Sequence, residues 1–390
     1  MARYLFASHD GFGLGHVRRN TLVARAILAR EPDADIVIVT GLPMRPGWLG
    51  DSRLRVVGVP ALLKDSSGTY RNDRLTFEQA IDQRAGAFSR TVSRFAPDVV
   101  VVDRHPYGLA GELRGGLEAA KAAGAAVVLG LRDILDQPSV IAEELAGQGW
   151  AGVPDLFDEI FVYGDRVLCD HEEEYGLPMR PRYCGWVADR SATRRRDPRL
   201  LVVTGGGGGD GEAVFRLGAQ LATALRSLDV VIVAGPYATR DIIGSLPAEA
   251  LSSGRLRLVR DAPGCVELFA RAARVLQMAG YNSTFEALAA GLRPVLVPRR
   301  SPRREQAIRA SRLTALGVAD MVDEGAPAEE VAWLLERSRL LPKGALAEAG
   351  IRLDGAERAA TVIGEMAANM TGRSVDGNVA GDLAAGAAVR

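Results

Sequence analysis

Short apolar runs alternate with amphipathic stretches along most of the chain. Runs rich in Val, Ile and Leu predict buried strands, and the stretches between them place apolar residues at helical spacing. The clearest strands are predicted at 3–8, 35–40, 54–59, 98–102, 127–131, 158–163, 200–204, 230–234, 256–259, 275–278 and 294–298. The clearest helices are predicted at 17–28, 76–95, 212–228, 285–290, 329–341 and 351–370. Strands that alternate with helices predict an α/β fold built on parallel sheets.

The predicted strands form two groups, separated by a crossover around 178–197. At 390 residues the chain has room for two domains of ordinary size. We predict a first domain over 1–190, a second over 197–350 and a C-terminal helix over 351–370. The Gly- and Ala-rich segment 371–390 has little to bury, so we expect it to be disordered.

Composition and charge exclude several classes of protein. With 47% hydrophobic residues, 25% charged residues and a net charge of +0, the chain is typical of a globular protein. It has neither an apolar run of about 18 residues nor a leader pattern, so we expect a cytoplasmic protein without a transmembrane segment. Lys64, Lys121 and Lys343 are its only lysines, which leaves 48 − 3 = 45 arginines. Because Arg is used so generally, the basic run 194–196 carries little information, and we expect no nucleic-acid partner.

Cysteine and histidine spacing gives no metal-binding pattern. The three cysteines are scattered and lack a CxxC pair, and the four histidines are not at ligand spacing. We therefore predict no metal site.

The segment 275–306 combines an apolar strand, a small polar turn at 279–284 and a short helix that Gly291 ends. In a parallel sheet this places a helix N-terminus at the carboxyl edge, where free amide groups favour an anion such as a phosphate. Glu286 lies just inside the helix, where its carboxylate can accept hydrogen bonds from a sugar diol. The competing interpretation is an ordinary repeat in which Ser283 or Thr284 caps the helix.

One glycine-rich loop follows the first strand of each predicted domain. The run 205–209 has five consecutive glycines, more than a turn requires, and their cost in backbone entropy suggests close approach of a ligand to the backbone. The loop 10–16 lacks a GxGxxG pattern with a downstream acidic residue, so a dinucleotide site is not expected. It ends in His16, whose imidazole is suited to taking a proton from a hydroxyl or a water. A histidine that only caps the loop is the alternative.

Charged clusters end two neighbouring strands of the first domain. We assign them to the acceptor because sites of α/β proteins lie at the carboxyl ends of strands. Pairing of Asp with Arg inside the clusters is the competing explanation. The polar loop 64–74 is assigned to the same side, against the alternative of a plain surface loop. The acceptor candidates are Asp103, Arg104, His105, Arg132 and Asp133.

The segment 275–306 resembles the donor-binding motif of GT-B glycosyltransferases, in particular the MurG-type N-acetylglucosaminyltransferases. Glu286, the small residues 289–291 and the strand 294–298 match that motif. The family commonly has Gln beside the donor sugar, and Glu305 and Gln306 occupy that place here. The loop with Gly13, Gly15, His16 and Arg19 also resembles the Gly-x-Gly-His-x-x-Arg loop of nucleotide-sugar hydrolases of pseudaminic acid synthesis.

The resemblance implies two Rossmann-like, doubly wound domains that face a cleft, with the last helix crossing back to the first domain. It implies a nucleotide-sugar co-substrate and no other cofactor. It places the base of a UDP-sugar at 260–266 and the ribose on Glu286. The donor-binding candidates are Gly15, Gly205, Gly206, Gly207, Gly208, Gly209, Arg260, Asn282, Ser283, Thr284, Glu286, Glu305 and Gln306.

The leading hypothesis is a metal-independent glycosyltransferase with His16 as the general base. Its acceptor is a small molecule or a lipid-linked one, and peripheral membrane contact stays open. The alternatives are a nucleotide-sugar hydrolase on the same scaffold and a non-catalytic protein that binds nucleotide sugars.

Overall fold

The chain forms two parallel β-sheets covered by helices in the computed structural model, which describes residues 1–9, 15–42, 49, 51–64, 70–190, 194–207, 209–235, 238–252, 254–260, 265–337 and 340–372. This confirms the predicted α/β class with two doubly wound domains. Within the described residues, no helix combines the length and the apolar character that crossing a membrane requires. The segment 371–390, expected to be disordered, lies outside the described residues from 373 onward.

The first domain contains a parallel sheet and a small antiparallel hairpin. The sheet strands are β1 (Arg3–Ala7), β2 (Asp35–Thr40), β3 (Leu54–Gly58), β6 (Val99–Asp103), β7 (Ala126–Arg132), β8 (Glu159–Tyr163) and β9 (Pro181–Tyr183), and the hairpin strands are β4 (Leu63–Lys64) and β5 (Tyr70–Arg71). The helices are α1 (Gly15–Arg30), α2 (Phe77–Phe95), α3 (Arg114–Ala122), α4 (Pro138–Ala146), α5 (Val153–Leu156) and α6 (His171–Tyr175). The sheet order is β3-β2-β1-β6-β7-β8-β9.

The second domain repeats this arrangement with fewer strands. Its strands are β10 (Asp197–Thr204), β11 (Asp229–Val233), β12 (Leu256–Val259), β13 (Ala272–Gln277), β14 (Val295–Leu296) and β15 (Asp320–Met321). Its helices are α7 (Glu212–Ala224), α8 (Arg240–Gly244), α9 (Ala248–Ser252), α10 (Val266–Arg271), α11 (Tyr281–Ala289), α12 (Glu305–Ala315), α13 (Ala328–Arg337) and α14 (Ala345–Glu348). The sheet order is β12-β11-β10-β13-β14-β15, so the order reverses beside the first strand, as in a dinucleotide-binding sheet.

Strand and helix formation follow simple local rules. The residues 99–102 of β6 are all Val and fully buried, because helices cover both faces of a parallel sheet. Helix α2 begins with a capping box, in which the Thr76 hydroxyl accepts from Gln79 N and the Gln79 side chain accepts from Thr76 N. It ends at Ala96 in the left-handed conformation, with φ of 46°.

The last helix, α15 (Gly355–Thr371), packs on α1 and on the strands β6 and β7 of the first domain. The chain therefore passes between the domains twice, and the two passages touch. Trp186 N donates to Arg352 O at 2.8 Å, and Gly355 N donates to Trp186 O at 3.0 Å. A side chain at Gly355 would collide with the backbone of Gly185, so the crossing requires glycine there.

Side chains of α11 join the two domains through a mostly buried interface. Tyr281 donates its hydroxyl to Tyr163 O at 2.9 Å and accepts from Val187 N at 2.9 Å. The ring of Phe285 stacks on Trp186, with ring centroids 4.9 Å apart. These contacts hold the carboxyl edges of the two sheets close to each other, and the candidate site lies between them.

Candidate active site

Helices α1 and α11 meet at their N-termini across the cleft. Asn282 Nδ2 donates to Gly15 O at 3.0 Å, so the start of each helix contacts the other. Helix α1 follows β1 and α11 follows β13, and each of these strands lies beside the point at which its sheet order reverses, where open α/β sheets bind ligands. The geometry thus brings His16 and the polar turn of the second domain to one place.

His16 and Asp103 form a hydrogen-bonded dyad, with Nδ1 and Oδ2 2.7 Å apart. Arg19 holds the other carboxylate oxygen of Asp103. Arg19 Nη2 also lies 3.3 Å from His16 Nδ1, but an ionised carboxylate can only accept. We therefore assign the proton to Nδ1, in the shorter bond to Asp103, which leaves Nε2 as the basic nitrogen.

The electrostatics of the dyad favour a neutral imidazole and an ionised carboxylate. Burial lowers the pKa of His16 below its usual value of about 6.5, although Asp103 opposes the shift. Burial opposes ionisation of Asp103, but the charge of Arg19 and the hydrogen bond from His16 outweigh it and hold the pKa of this carboxyl well below its usual range. At neutral pH the pair is poised to accept a proton on Nε2 and to stabilise the imidazolium that forms.

Further polar side chains surround the dyad on the first-domain side. The His9 ring lies between His16 and His105, with centroid distances of 5.1 and 4.7 Å, and Tyr70 Oη lies 3.4 Å from His9 Nε2. Burial lowers the pKa of His9 well below its usual value, so its ring is neutral. A small recess of about 10 Å³, lined by His9, Asp103 and His105 among others, opens beside these rings.

Three of the acceptor candidates form ion pairs. Asp103 binds His16 and Arg19, as described. Arg104, with φ of 73°, donates to both carboxylate oxygens of Glu144 at 2.7 and 2.8 Å. Asp133 is buried and accepts from Arg309 of the second domain at 2.6 and 2.9 Å. Asp–Arg pairing is thus present for Asp133, but its partner lies in the other domain rather than within the cluster.

The other two acceptor candidates, His105 and Arg132, are half-buried at the cleft. His105 Nδ1 lies 3.6 Å from Glu144. Burial lowers the pKa of Arg132 to about 10. The polar loop 64–74 lies partly outside the described residues, at 65–69, and Tyr70 is its closest described residue to the dyad.

Glu305 begins α12 and is nearly buried, although it carries a charge. Arg299 Nη2 donates to Glu305 Oε1 at 2.6 Å, and Gln306 Oε1 accepts from Arg299 N at 3.3 Å. Burial would favour the neutral acid, but the charges of Arg132 and Arg299 lower the pKa of Glu305. Glu305 Oε2 has no hydrogen-bond partner among the described residues. Glu305 therefore keeps one ionised oxygen without a hydrogen-bond partner from the described residues.

Buried polar atoms without partners gather on the second-domain side. Within the described part of the chain, both amide atoms of Gln277, Asn282 Oδ1 and Thr284 Oγ1 lack a hydrogen bond, as Glu305 Oε2 does. Gln277 ends β13, and Asn282 and Thr284 lie in the first turns of α11. Buried polar groups in native proteins are nearly always satisfied by protein or by ordered water, so such a cluster is a place for water molecules or a polar ligand.

Helix α11 begins earlier than the sequence predicts. Its first residue is Tyr281 and its N-cap is Gly280, which makes no side-chain cap. Ser283 and Thr284 lie inside the helix, so the competing interpretation, in which one of them caps it, is wrong. The early start leaves the first N–H groups of the helix, from Tyr281 onward, without intrahelical partners and available to an anion.

The glycine run after β10 serves both packing and the cleft. A side chain at Gly205 would collide with Gly211 and the ring of Phe215, and a side chain at Gly235 would approach Gly206 O and Gly207 O within 2.6 Å. Gly206 has φ of 63°, and a Cβ there would meet nothing within 4 Å. The loop is thus packed on one side and open on the other. Gly208 lies outside the described residues, and Gly209 is exposed.

Glu286 is 4% exposed, and Arg18 of the first domain donates to its Oε1 at 2.6 Å. Burial raises the pKa of Glu286, and the charge of Arg18 opposes the rise. Arg260 is exposed at the end of β12, and the following residues 261–264, to which the base was assigned, lie outside the described residues.

Sequence reasoning missed His9, Arg18 and Gln277, and it gave Arg19 only as part of a loop motif, without its partner. Gln277 and His9 gave a signal, because each is a polar residue directly after an apolar strand. Arg18 and Arg19 gave none as partners, since arginine is common along the whole chain. Their roles depend on Glu286 and Asp103, which are distant in sequence.

In the described part of the chain, no group of three or more His, Cys, Asp or Glu side chains is arranged to hold a metal ion.

Comparison with family models and with curated proteins gives no match. The structure is similar to several solved glycosyltransferases. SnogD from Streptomyces nogalater has 18% identity and a TM-score of 0.56, covering 95% of this chain and 96% of that one. MurG from Acinetobacter baumannii has 16% identity and a TM-score of 0.52, covering 95% and 100%. Medicago truncatula UGT71G1, solved with UDP-glucose, has 14% identity and a TM-score of 0.60, covering 94% and 98%.

These similarities extend over nearly the whole of each chain and over both domains. The resemblance expected from the donor motif and the glycine loops is confirmed for the fold. The chain has the GT-B fold of these glycosyltransferases, MurG among them.

Proposed function

We propose that the protein is a glycosyltransferase that moves a sugar from a nucleotide-sugar donor to an acceptor. The observation that carries the proposal is the position of the His16–Asp103 dyad directly across the cleft from the start of α11 and its unpartnered polar atoms. Transfer between two substrates requires a base on one domain and, on the other, polar atoms that are available to a donor. That the similar structure of UGT71G1 was solved with UDP-glucose favours a UDP-sugar as the donor.

In this mechanism His16 Nε2 takes the proton from an acceptor hydroxyl. The acceptor oxygen forms a bond to the anomeric carbon of the donor sugar, and the bond between that carbon and the diphosphate oxygen breaks. Asp103 stabilises the imidazolium, which contributes about 10²- to 10⁴-fold together with the base. The free amides at the start of α11 and in the glycine run stabilise the leaving diphosphate, which is why we expect no metal requirement.

On the donor side we assign Glu286 to the ribose and Glu305 with Gln306 to the sugar. Gln277, which is buried and unpartnered, is added as a donor contact. On the acceptor side, His105 and Arg132 face the cleft, while Asp103, Arg104 and Asp133 act through the partners that they hold.

The mutation Glu286→Ala tests the donor assignment. Loss of a charge-assisted hydrogen bond costs about 1.5–3 kcal/mol, so the affinity for UDP should fall roughly 10- to 150-fold. Calorimetric titration with UDP measures the effect, and a thermal melt of each protein shows whether the fold is intact. Unchanged affinity in a folded variant would remove Glu286 from the site.

The alternative function, hydrolysis of the nucleotide sugar, is favoured by the match of Gly13, Gly15, His16 and Arg19 to the hydrolase loop. Incubation with a panel of UDP-, dTDP- and GDP-sugars separates the functions. A transferase should release nucleotide slowly until an acceptor is added. Rapid, stoichiometric release of free sugar from the donor alone would make the protein a hydrolase, and donor binding without any turnover would make it a binding protein.

A further inference from the structure

One ion pair crosses the cleft at the carboxylate that we assign to the ribose. Arg18 Nε of α1 donates to Glu286 Oε1 of α11 at 2.6 Å, and Arg18 Nη2 lies 3.3 Å from Asp189 Oδ2 in the crossover segment. The side chains of Arg18 and Glu286 are 19% and 3% exposed. The pair therefore links the two domains inside the proposed donor site rather than at its rim.

Stability alone is a weak reason for this pair, because desolvation of two charges offsets most of their attraction. The interface already contains the hydrogen bonds of Tyr281, the stack of Phe285 on Trp186 and the Arg309–Asp133 pair. What Arg18 adds is specific to its partner. A carboxylate buried without a counter-charge would take up a proton and lose its strength as an acceptor.

We propose that Arg18 is a positioning residue for the donor: it reaches from the first domain to hold the Glu286 carboxylate ionised and in place for the nucleotide ribose. This inference rests on the proposed function, in which Glu286 binds the donor. It makes donor binding by the second domain depend on the docked first domain.

The Glu286 carboxylate has more acceptor positions than Arg18 occupies. A carboxylate has about four acceptor positions on its two oxygens. Arg18 Nε occupies one, and the backbone N–H of Cys265 donates to the same carboxylate. The remaining positions are available to the two hydroxyls of a ribose, so Arg18 stays in place when the donor binds.

The charges around Glu286 give this inference a signature. The groups that face it are Arg18 from α1, Asp189 from the crossover segment and the neutral thiol of Cys265, which precedes α10. Arg25 of α1 lies 3.9 Å from Asp189. Burial raises the pKa of Glu286, Arg18 lowers it and Asp189 raises it. The ionised form is lost as the pH falls through that pKa, so Arg18 and Asp189 should affect binding with opposite signs.

The experiment measures UDP affinity by calorimetry between about pH 5 and pH 8.5 for Arg18→Gln, Arg18→Lys and Asp189→Asn. Arg30→Gln is the matched control, since Arg30 lies at the exposed end of the same helix. The terminal phosphate of UDP titrates near pH ~6, so each variant is compared with the unmodified protein at the same pH, and uridine serves as a ligand without phosphate.

We expect Arg18→Gln to bind UDP and uridine about 10-fold more weakly at pH 7, which matches the loss of one hydrogen bond to a charged group. It should also lose binding at a higher pH than the unmodified protein. Arg18→Lys should restore most of the affinity, and Asp189→Asn should keep binding to a lower pH. Arg30→Gln should behave as the unmodified protein does.

Two results would overturn the inference. If Arg18→Gln and Asp189→Asn weaken binding equally at every pH, Arg18 only ties the domains together. If Arg18→Gln binds as tightly as the unmodified protein, or more tightly, Arg18 blocks the carboxylate or is irrelevant to it. The variant Glu286→Gln separates this failure from that of the proposed donor site, because normal UDP binding by Glu286→Gln would contradict the ribose assignment itself.

Discussion

The two edges that face the cleft differ in how their polar groups are satisfied. On the first-domain edge most charged groups are already paired, as in the His16–Asp103–Arg19 cluster and the Arg104–Glu144 pair, although Arg19 Nε and Arg132 Nε have no hydrogen bond among the described residues. On the second-domain edge, buried atoms of Gln277, Asn282 and Thr284 have no partners among the described residues. The first edge is thus organised before any substrate arrives, and the second is completed by one.

This difference has an energetic meaning. Each unsatisfied buried polar group lowers the free energy of unfolding by about 1–3 kcal/mol. A ligand that makes the missing hydrogen bonds at the second edge therefore gains affinity. The first edge has its dipoles and charges in place, and such preorganisation is what stabilises charge that develops during a reaction. Chemistry on one side and binding on the other should therefore respond differently to mutation.

The largest expected effect separates turnover from binding on the first edge. His16→Ala should lower the transfer rate by about 10²- to 10⁴-fold, because it removes the general base. Donor affinity, which depends on the second edge, should stay nearly unchanged. Turnover assays with a saturating donor and titration with UDP measure the two quantities. A rate within a few-fold of the unmodified protein would mean that the dyad does not act as the base.

Mutation of the glycine run, on the second edge, should affect donor binding. Gly207→Val should weaken donor binding by about 100-fold or more, or about 2.7 kcal/mol, since a branched side chain restricts the backbone that approaches the diphosphate. The melting temperature should change far less.

The control for Gly207→Val is Gly244→Val, because a Cβ at Gly244 meets nothing within 4 Å. It allows for the general effect of replacing glycine on stability. Normal UDP binding by Gly207→Val would reduce the run to a packed turn.

At Gln277 we expect two smaller effects of opposite sign, one on stability and one on donor affinity. Gln277→Leu removes a buried amide without partners and keeps a similar volume, so the free energy of unfolding should rise by about 1 kcal/mol. Donor affinity should fall by roughly 10-fold, because the ligand loses the hydrogen bonds of that amide. Chemical denaturation and UDP-sugar titration measure the two changes. Loss of stability together with unchanged affinity would show that the amide is satisfied without a ligand.

The smallest effect is a shift in the pH profile. The neutral imidazole is the base, so turnover should fall as the pH drops through the pKa of His16, which burial places below about 6.5. Asp103 opposes that shift, so Asp103→Asn should move the acid limb to still lower pH while it lowers the plateau. A limb that moves upward in this variant would contradict the assigned roles.

Local patterns were enough to predict most strands of the two sheets, but not the short strands β9 and β15 or the helices α3 and α12. The apolar residues of β6 and the glycine that ends α11 report directly on backbone and burial. The start of α11 was misplaced because Ser283 and Thr284 have the residue types of a cap, whereas Gly280 provides the extended backbone at that position. Sequence pattern identifies which residues can cap a helix, but neighbouring packing decides which residue does.

The partners within the site could not be predicted in the same way. Asp103 was assigned to the acceptor because it ends a strand, and only the fold shows that it binds His16, 87 residues away in sequence. Arg309 and Asp133 are 176 residues apart, and Arg18 and Glu286 are 268 apart. Such pairs depend on how two domains dock, and neither spacing nor composition carries that information.

The crossing of the two linkers at Trp186 and Gly355 has a mechanical consequence. Because both passages between the domains are bonded to each other at one point, sliding one domain along the cleft would break these hydrogen bonds. A rotation about this pivot keeps them. A small rotation at the pivot moves the groups farthest from it most. The width of the gap proposed for the acceptor therefore depends on the angle between the two domains.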